Sequence, residues 1–355
     1  MNLLEKFKNI PEEYKIEIIA LLNNEENIFL SPSENKLIFN HSAESMEKFE
    51  YNYLSELLEH GNFTKDEWIL IDSNFKLDCE NAIPTDSQFY RTKNHLFNGN
   101  NVNFFPFNDE QISQLKSHKR SKLFLSYHGY PHPQRIMFLH ELNKRNLLQQ
   151  GLVSLLTKPN KDDFRSVREK TMSENSWGEG SEYFESAPHL LDIELDGDWF
   201  KPLKEDMYTD NDVYHSLDFP YEHILDTFFT VVPETKYFTI ENNAKLIFVT
   251  EKTYKAVVTQ PFIILGRPGI LSHLHDNGFK TFPNMFDESY DEIEDNVERF
   301  NHIINQVEEL CNKGYDYVRD LYLESFDNVL HNQQVFMDKK DEQYDDVVDN
   351  LIKDL

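Results

Sequence analysis

Two cysteines, Cys79 and Cys311, are all that the 355 residues contain. That is too few for a disulfide framework or a cysteine zinc site, and it fits a reducing, intracellular compartment. The sequon Asn62-Phe63-Thr64 means little in such a compartment. No run of 18 apolar residues occurs, so no transmembrane helix and no membrane insertion are expected. The opening MNLLEKFKNIPEEYK lacks a basic stretch followed by an apolar core, so no secretory signal is expected. No internal repeat is visible. Positive charge is scarce: 35 Lys and Arg stand against 63 Asp and Glu, a formal net charge of -28. Such a chain repels polyanions, which disfavours non-specific binding to DNA or an acidic membrane. The clearest local exception is Lys116-Ser117-His118-Lys119-Arg120-Ser121-Lys122. It reads either as a solvated loop before a strand or as a basic patch through which nucleic acid is a candidate partner.

What the chain does have is apolar mass. Hydrophobic residues make up 39% and aromatic residues 14%, which marks a globular protein with enough length for two cores. Residues 1–66 read as mostly helical. Pro11 suits a helix start, Tyr14, Ile18, Leu21 and Leu22 keep helical spacing, and a second helix runs through Met46, Tyr53, Leu54 and Leu57. Trp68 to Asp72 is a short apolar strand with a polar tip, and Asn103 to Phe107 is another, cut by Pro106. Leu123 to Tyr127 is a strand that enters the turn-rich loop His128 to Pro133. The helix after it carries Ile136, Leu139, Leu142, Leu147 and Leu148 and is expected to close at Gly151. A strand then starts at Leu152. Residues 157–215 read as a polar, acidic excursion.

Phe228 to Val232 is a buried strand. Thr250 reads as the N-cap of a helix, and the strand after that helix ends at Gly266. A helix from about Gly269 to Gly278, a short edge strand at Lys280-Thr281-Phe282, a helix from Ile293 to Gly314 and a helix from Val318 to Phe336 complete the pattern. Asp341 to Leu355 is acidic with scattered apolar positions. Strands alternating with helices argue for α/β layers and parallel sheets, in which ligands sit beyond the carboxyl ends of strands.

Lys252 is out of place in this pattern. A cation in the first turn opposes the helix dipole by a few tenths of a kcal/mol or more. One account is an anion held at that helix end. Arg135 opens another helix just past a strand, Glu234 follows a strand, Glu251 precedes Lys252, and Gly266 and Gly269 let a ligand approach the backbone. Two cations at helix starts suit a diphosphate, and two carboxylates suit ribose hydroxyls. Taken singly, Arg135 also reads as a surface salt-bridge residue and Glu251 as a simple first-turn acid.

The order His132-Pro133-Gln134-Arg135, Val232-Pro233-Glu234-Thr235 and Val249-Thr250-Glu251-Lys252 resembles the α1,3-fucosyltransferase family. It looks closer still to glycosyltransferase-like proteins of large tailed bacteriophages. The resemblance covers roughly residues 122–285, and the Val-Thr-Glu-Lys piece with its following helix and strand is its specific part. It implies two Rossmann-like domains facing a cleft, the GT-B architecture, followed by C-terminal helices. The divisions expected are 1–120 for the acceptor side, 121–338 for the nucleotide-sugar side and 339–355 for an acidic tail. It also implies that Arg135 and Lys252 contact a donor diphosphate, that Glu251 contacts the ribose, and that Glu234 lies near the nucleotide. Thr235 stands where the family has asparagine, and Thr250 and Gly266 match the pattern.

The function expected is transfer of a sugar from a nucleoside-diphosphate donor to an unknown acceptor, with modified phage DNA bases or a polysaccharide as candidates. The location expected is cytoplasmic, the host cytoplasm if the chain is viral. No cofactor beyond the donor is expected, and no metal. Asp196-Gly197-Asp198 and Asp210-Asn211-Asp212 have the Asp-x-Asp form, but about two or three such triplets arise by chance in so acidic a chain. The base that deprotonates the acceptor is sought first at Asp72, with His95 and Glu80 behind it. The rival reading is a structural or nucleotide-binding protein that keeps the fold without turnover.

Overall fold

The computed structural model describes residues 3–22, 27–31, 36–41, 48–72, 81–85, 89, 92–93, 106–128, 132–155, 221–238 and 247–339. Met46, Cys79, Glu80, His95, Asn103 to Phe105, both Asp-x-Asp triplets, the 157–215 excursion and Asp341 to Leu355 lie outside the described residues. The architecture is mixed α/β with parallel sheets. The chain divides into two compact units, one drawn from Met1–Asn94 and Lys245–Phe248, the other from His95–Ala244 and Val249–Lys339.

In the first unit the described elements are α1 (Leu3–Lys8), α2 (Glu12–Leu21), β1 (Ile28–Leu30), β2 (Leu37–His41), α3 (Lys48–His60), β3 (Trp68–Asp72) and β4 (Ala82–Pro84). The sheet order is β1-β2-β3-β4, with β1 antiparallel to β2 and the other pairs parallel. The expectation of a mostly helical start therefore misses β1 and β2. Leu37-Ile38-Phe39 is a three-residue apolar run, too short to signal a strand locally; pairing with β3 is what stabilises it. Alternation along the strands sends Leu37, Phe39, Trp68 and Leu70 into one core with Phe7, Ile18, Leu22, Leu54 and Leu58. Ile38, Ile69 and Ile71 cover the opposite face. Each such side chain contributes about 1.5–3 kcal/mol on burial.

The second unit contains α4 (Asp109–Ser117), β5 (Phe124–His128), α5 (Pro133–Lys144), β6 (Gly151–Leu155), α6 (Tyr221–Leu225), β7 (Phe229–Pro233), α7 (Glu251–Val257), β8 (Phe262–Leu265), α8 (Ile270–Asp276), α9 (Asn296–Lys313) and α10 (Tyr315–Asp338). The helix α4, before residue 120, falls in this second unit. The sheet is all parallel in the order β6-β5-β7-β8. None of the helices among the described residues is long and apolar enough to cross a membrane.

Three local expectations are corrected. The helix α5 ends at Lys144, and the left-handed turn residue after it is Asn146, at φ 58°. Gly151 instead opens β6, where a Cβ would meet the Phe124 ring at 2.4 Å, so the glycine there answers crowding. Lys280-Thr281-Phe282 is not a strand, because Lys280 N and O bond the Asn332 side chain rather than a neighbouring strand. The helix expected from Ile293 starts at Asn296, capped by Asp295, whose carboxylate accepts from Val297 N and Glu298 N.

The basic run also changes character. Arg120 is buried, its guanidinium donating to Thr227 O, Leu115 O and His118 O and lying 4.2 Å from the Tyr322 ring and 4.6 Å from Phe228. It serves the core, which leaves Lys116, Lys119 and Lys122 as the outward charge of that run.

Candidate functional site

The carboxyl edge of the all-parallel sheet gathers Arg135, Glu234, Thr235, Thr250, Glu251, Lys252 and Gly266. Glu234, the first residue past β7, organises it. Its Oε1 accepts from Thr250 N at 3.1 Å and from Thr253 Oγ1. Its Oε2 accepts from Thr250 Oγ1 at 2.7 Å and Thr235 N at 3.0 Å. Four donors thus converge on one fully buried carboxylate, and they tie the end of β7 to the start of α7.

The first turn of α5 reaches the same place. Gln134 Nε2 donates to Glu234 O at 2.8 Å, and Arg135 Nη2 donates to Pro233 O at 3.1 Å. Arg135 is only 2% exposed. Burial pulls its guanidinium down to about 10, while Glu234 and Glu251 hold it up. His128, at the end of β5, is buried beside it. Ser126 Oγ donates to Val231 O, so His128 Nε2–H is the donor in the 2.9 Å contact with Ser126, which leaves Nδ1 with its lone pair. That Nδ1 is buried without a hydrogen bond. Burial, with Arg135 adding to it, pushes His128 well below its ordinary range and keeps the imidazole neutral.

Thr250 caps α7 as expected, accepting from Lys252 N at 3.3 Å. The helix has only seven residues. The anion opposite Lys252 is supplied by the chain itself: Nζ lies 3.0 Å from Glu251 Oε1, with the hydroxyls of Thr250 at 3.3 Å and Thr235 at 3.4 Å. The Lys252 side chain is 24% exposed, against 11% for that of Glu251. Burial pushes the Glu251 carboxyl up, but Lys252 and Lys255 outweigh it and bring the group down to about 2.

The Glu251 shift fixes a pH dependence. A folded-state value of about 2 against an ordinary 4.5 means that the stabilisation is complete above the ordinary value and lost as pH falls towards 2. At about pH 3 the loss amounts to roughly 2 kcal/mol. Urea denaturation of the parent and Glu251→Gln at about pH 6 and about pH 3 is expected to show the gap between them shrinking by that amount.

Gly266 closes the site from β8. A Cβ there would stand 2.7 Å from Ile270 Cδ1, 3.0 Å from Ile264 Cγ2 and 3.4 Å from Glu234 Cβ, so a side chain would crowd the apolar packing beside Glu234. Its carbonyl accepts from Arg299 Nε at 3.1 Å. Arg299, Thr253, Gln134 and His128 were not singled out from the sequence. The bonds that tie the first three to this edge reach partners 19 to 101 residues away, which their sequence neighbourhood does not announce. Asp72 belongs to the first unit, where it is fully buried at the end of β3.

No group of metal-ligating side chains is found among the described residues. Compared with known proteins, the chain matches no family model, no curated protein and no solved structure.

Proposed function

We propose that the second unit binds a nucleoside-diphosphate sugar and that the protein transfers the sugar to an acceptor, as a GT-B-type glycosyltransferase does. One observation carries the reading. Seven residues spread from Arg135 to Gly266 meet at the carboxyl edge of a parallel sheet, where α/β proteins bind ligands. Their order along the chain is the one that the fucosyltransferase-like motifs imply.

In this reading Lys252, the more exposed cation, exchanges its threonine hydroxyls for phosphate oxygens. Arg135 adds charge from beneath, and Glu251 accepts from the ribose. Positive charge at the leaving diphosphate stabilises it as the bond to the sugar breaks.

A second reading has its own support. The Glu234 carboxylate takes four donors from its own chain, and Lys252 Nζ meets Glu251, Thr250 and Thr235, as a structural clasp requires. That favours a structural or nucleotide-binding protein without turnover.

Lys252→Ala separates the two. Loss of a diphosphate contact is expected to lower transfer or donor hydrolysis by roughly 10²–10³-fold. Stability should fall by only about 1 kcal/mol, the worth of a partly exposed ion pair. Calorimetry with UDP, GDP, CMP and dTDP, followed by turnover of the matching sugar nucleotide, measures both. Equal affinity and turnover in parent and variant would remove the donor-site reading.

A further inference from the structure

In the order β6-β5-β7-β8 the chain leaves β5 towards one side of the sheet and leaves β7 towards the other. Among the described strands, the carboxyl ends of these two neighbours flank the point where the order reverses. Parallel α/β sheets hold their ligands over that crevice. Gln134 spans it, because it follows β5 in the chain and bonds the two residues that follow β7. Its Nε2 donates to Glu234 O at 2.8 Å and to Thr235 O at 3.3 Å. Both partners are carbonyls, which only accept, so the amide has one orientation and Oε1 is turned away from them. Gln134 is 1% exposed. Its Oε1 makes no hydrogen bond with a described residue, and it is not among the polar atoms sealed from solvent. His128 Nδ1, the other acceptor beside Arg135 without a hydrogen bond, is sealed. Gln134 Oε1 is therefore an oriented, unused acceptor that a ligand can touch.

We infer that Gln134 is a specificity-determining residue whose Oε1 accepts from a hydroxyl of a sugar joined to the diphosphate. The inference rests on the nucleotide-sugar reading above and lies wholly within the second unit. The surroundings select that group. Arg135 is the next residue, and Thr235, which Gln134 braces, has its hydroxyl 3.4 Å from Lys252 Nζ. These cations draw phosphate oxygens to this corner. An amide oxygen repels phosphate oxygens, so it needs a donor carried beside them. In a nucleotide sugar the hydroxyls flanking the diphosphate belong to the ribose on one side and to the transferred sugar on the other. A ligand without that hydroxyl leaves the acceptor desolvated and unpaired, which is how a site built for a hydroxyl rejects its deoxy analogue. Gln134 also braces α5 against the end of β7, so the test needs a readout that the brace does not move.

Calorimetry on the full chain compares UDP and GDP with their 2′-deoxy and 3′-deoxy forms and with UDP-glucose and GDP-fucose. The proteins are the parent, Gln134→Met and Gln134→Lys. The lysine ammonium can still donate to the two carbonyls but accepts nothing, and its charge acts on every probe alike, so only ratios of affinities are read. If the hydroxyl is the ribose's, the parent is expected to prefer UDP or GDP over a deoxy form by roughly 10-fold, and the variants to lose that preference. If it is the transferred sugar's, the affinity ratio of UDP-glucose to UDP, or of GDP-fucose to GDP, is expected to fall roughly 10-fold in the variants, with the deoxy ratios unchanged. Ratios that are the same in parent and variants for every pair would overturn the inference and leave Gln134 a brace. A parent that binds UDP and GDP no differently from their deoxy forms and their sugar nucleotides would overturn it without any variant. If neither UDP, GDP nor a sugar nucleotide binds the parent, the donor reading falls and the inference with it.

Discussion

Arg299→Ala is expected to destabilise the second unit by about 4–5 kcal/mol, at the upper end of what one substitution does. All five N–H groups of this fully buried guanidinium are used. Nε donates to Gly266 O, Nη1 to Ile293 O and Glu294 O, and Nη2 to Tyr237 O and Asn296 Oδ1. The plane lies 4.6 Å from the Tyr237 ring. Truncation strands those acceptors in the interior and leaves a cavity the size of the side chain. Arg299→Lys should recover less than half of the loss, because one ammonium cannot span acceptors arranged around a planar fork. Urea denaturation of the three proteins checks this; a loss near 1 kcal/mol for the alanine variant would show that water replaces the guanidinium.

Glu234→Ala is expected to cost about 3–5 kcal/mol, the loss seen when one member of a buried charged network is removed. Thr235 N, Thr250 N and the hydroxyls of Thr250 and Thr253 lose their acceptor. Arg135 loses one of the two carboxylates that sustain its charge in a desolvated place. Glu234→Gln keeps the shape but turns an amide NH₂ towards donors, so about 2 kcal/mol should be lost even there. Denaturant midpoints measure both. Glutamine as stable as the parent would mean that the web tolerates a neutral centre, and the carboxylate would then owe its place to a ligand.

Much of this edge could be read from the sequence because its signals are local. Thr250 announces a helix start, and the apolar runs at Trp68, Phe124, Phe229 and Phe262 announce strands. The oddity of Lys252 was also visible, but its answer was not. Glu251, the adjacent residue, supplies the charge, and Thr235 joins it only after β7 and α7 come together. Arg299 looked like any arginine on an amphipathic helix, since its acceptors Gly266 and Tyr237 lie 33 and 62 residues away. His41 passed unnoticed for the same reason. Its 2.9 Å contact with Asp72 depends on the register of β2 with β3, and β2 itself is too short to declare its pairing.

The place of β5 in its sheet has a consequence during synthesis. Its second neighbour is β7, and the Ser126–Val231 bond joins residues 105 apart. Until β7 leaves the ribosome, β5 has β6 on one side and open peptide groups on the other. At ordinary translation rates that interval is roughly 5–20 s. Over that time the nascent chain carries an apolar, unpaired strand edge of the kind that recruits other chains. Yield from an expression host should therefore depend on how busy its chaperones are, apart from how stable the finished protein is.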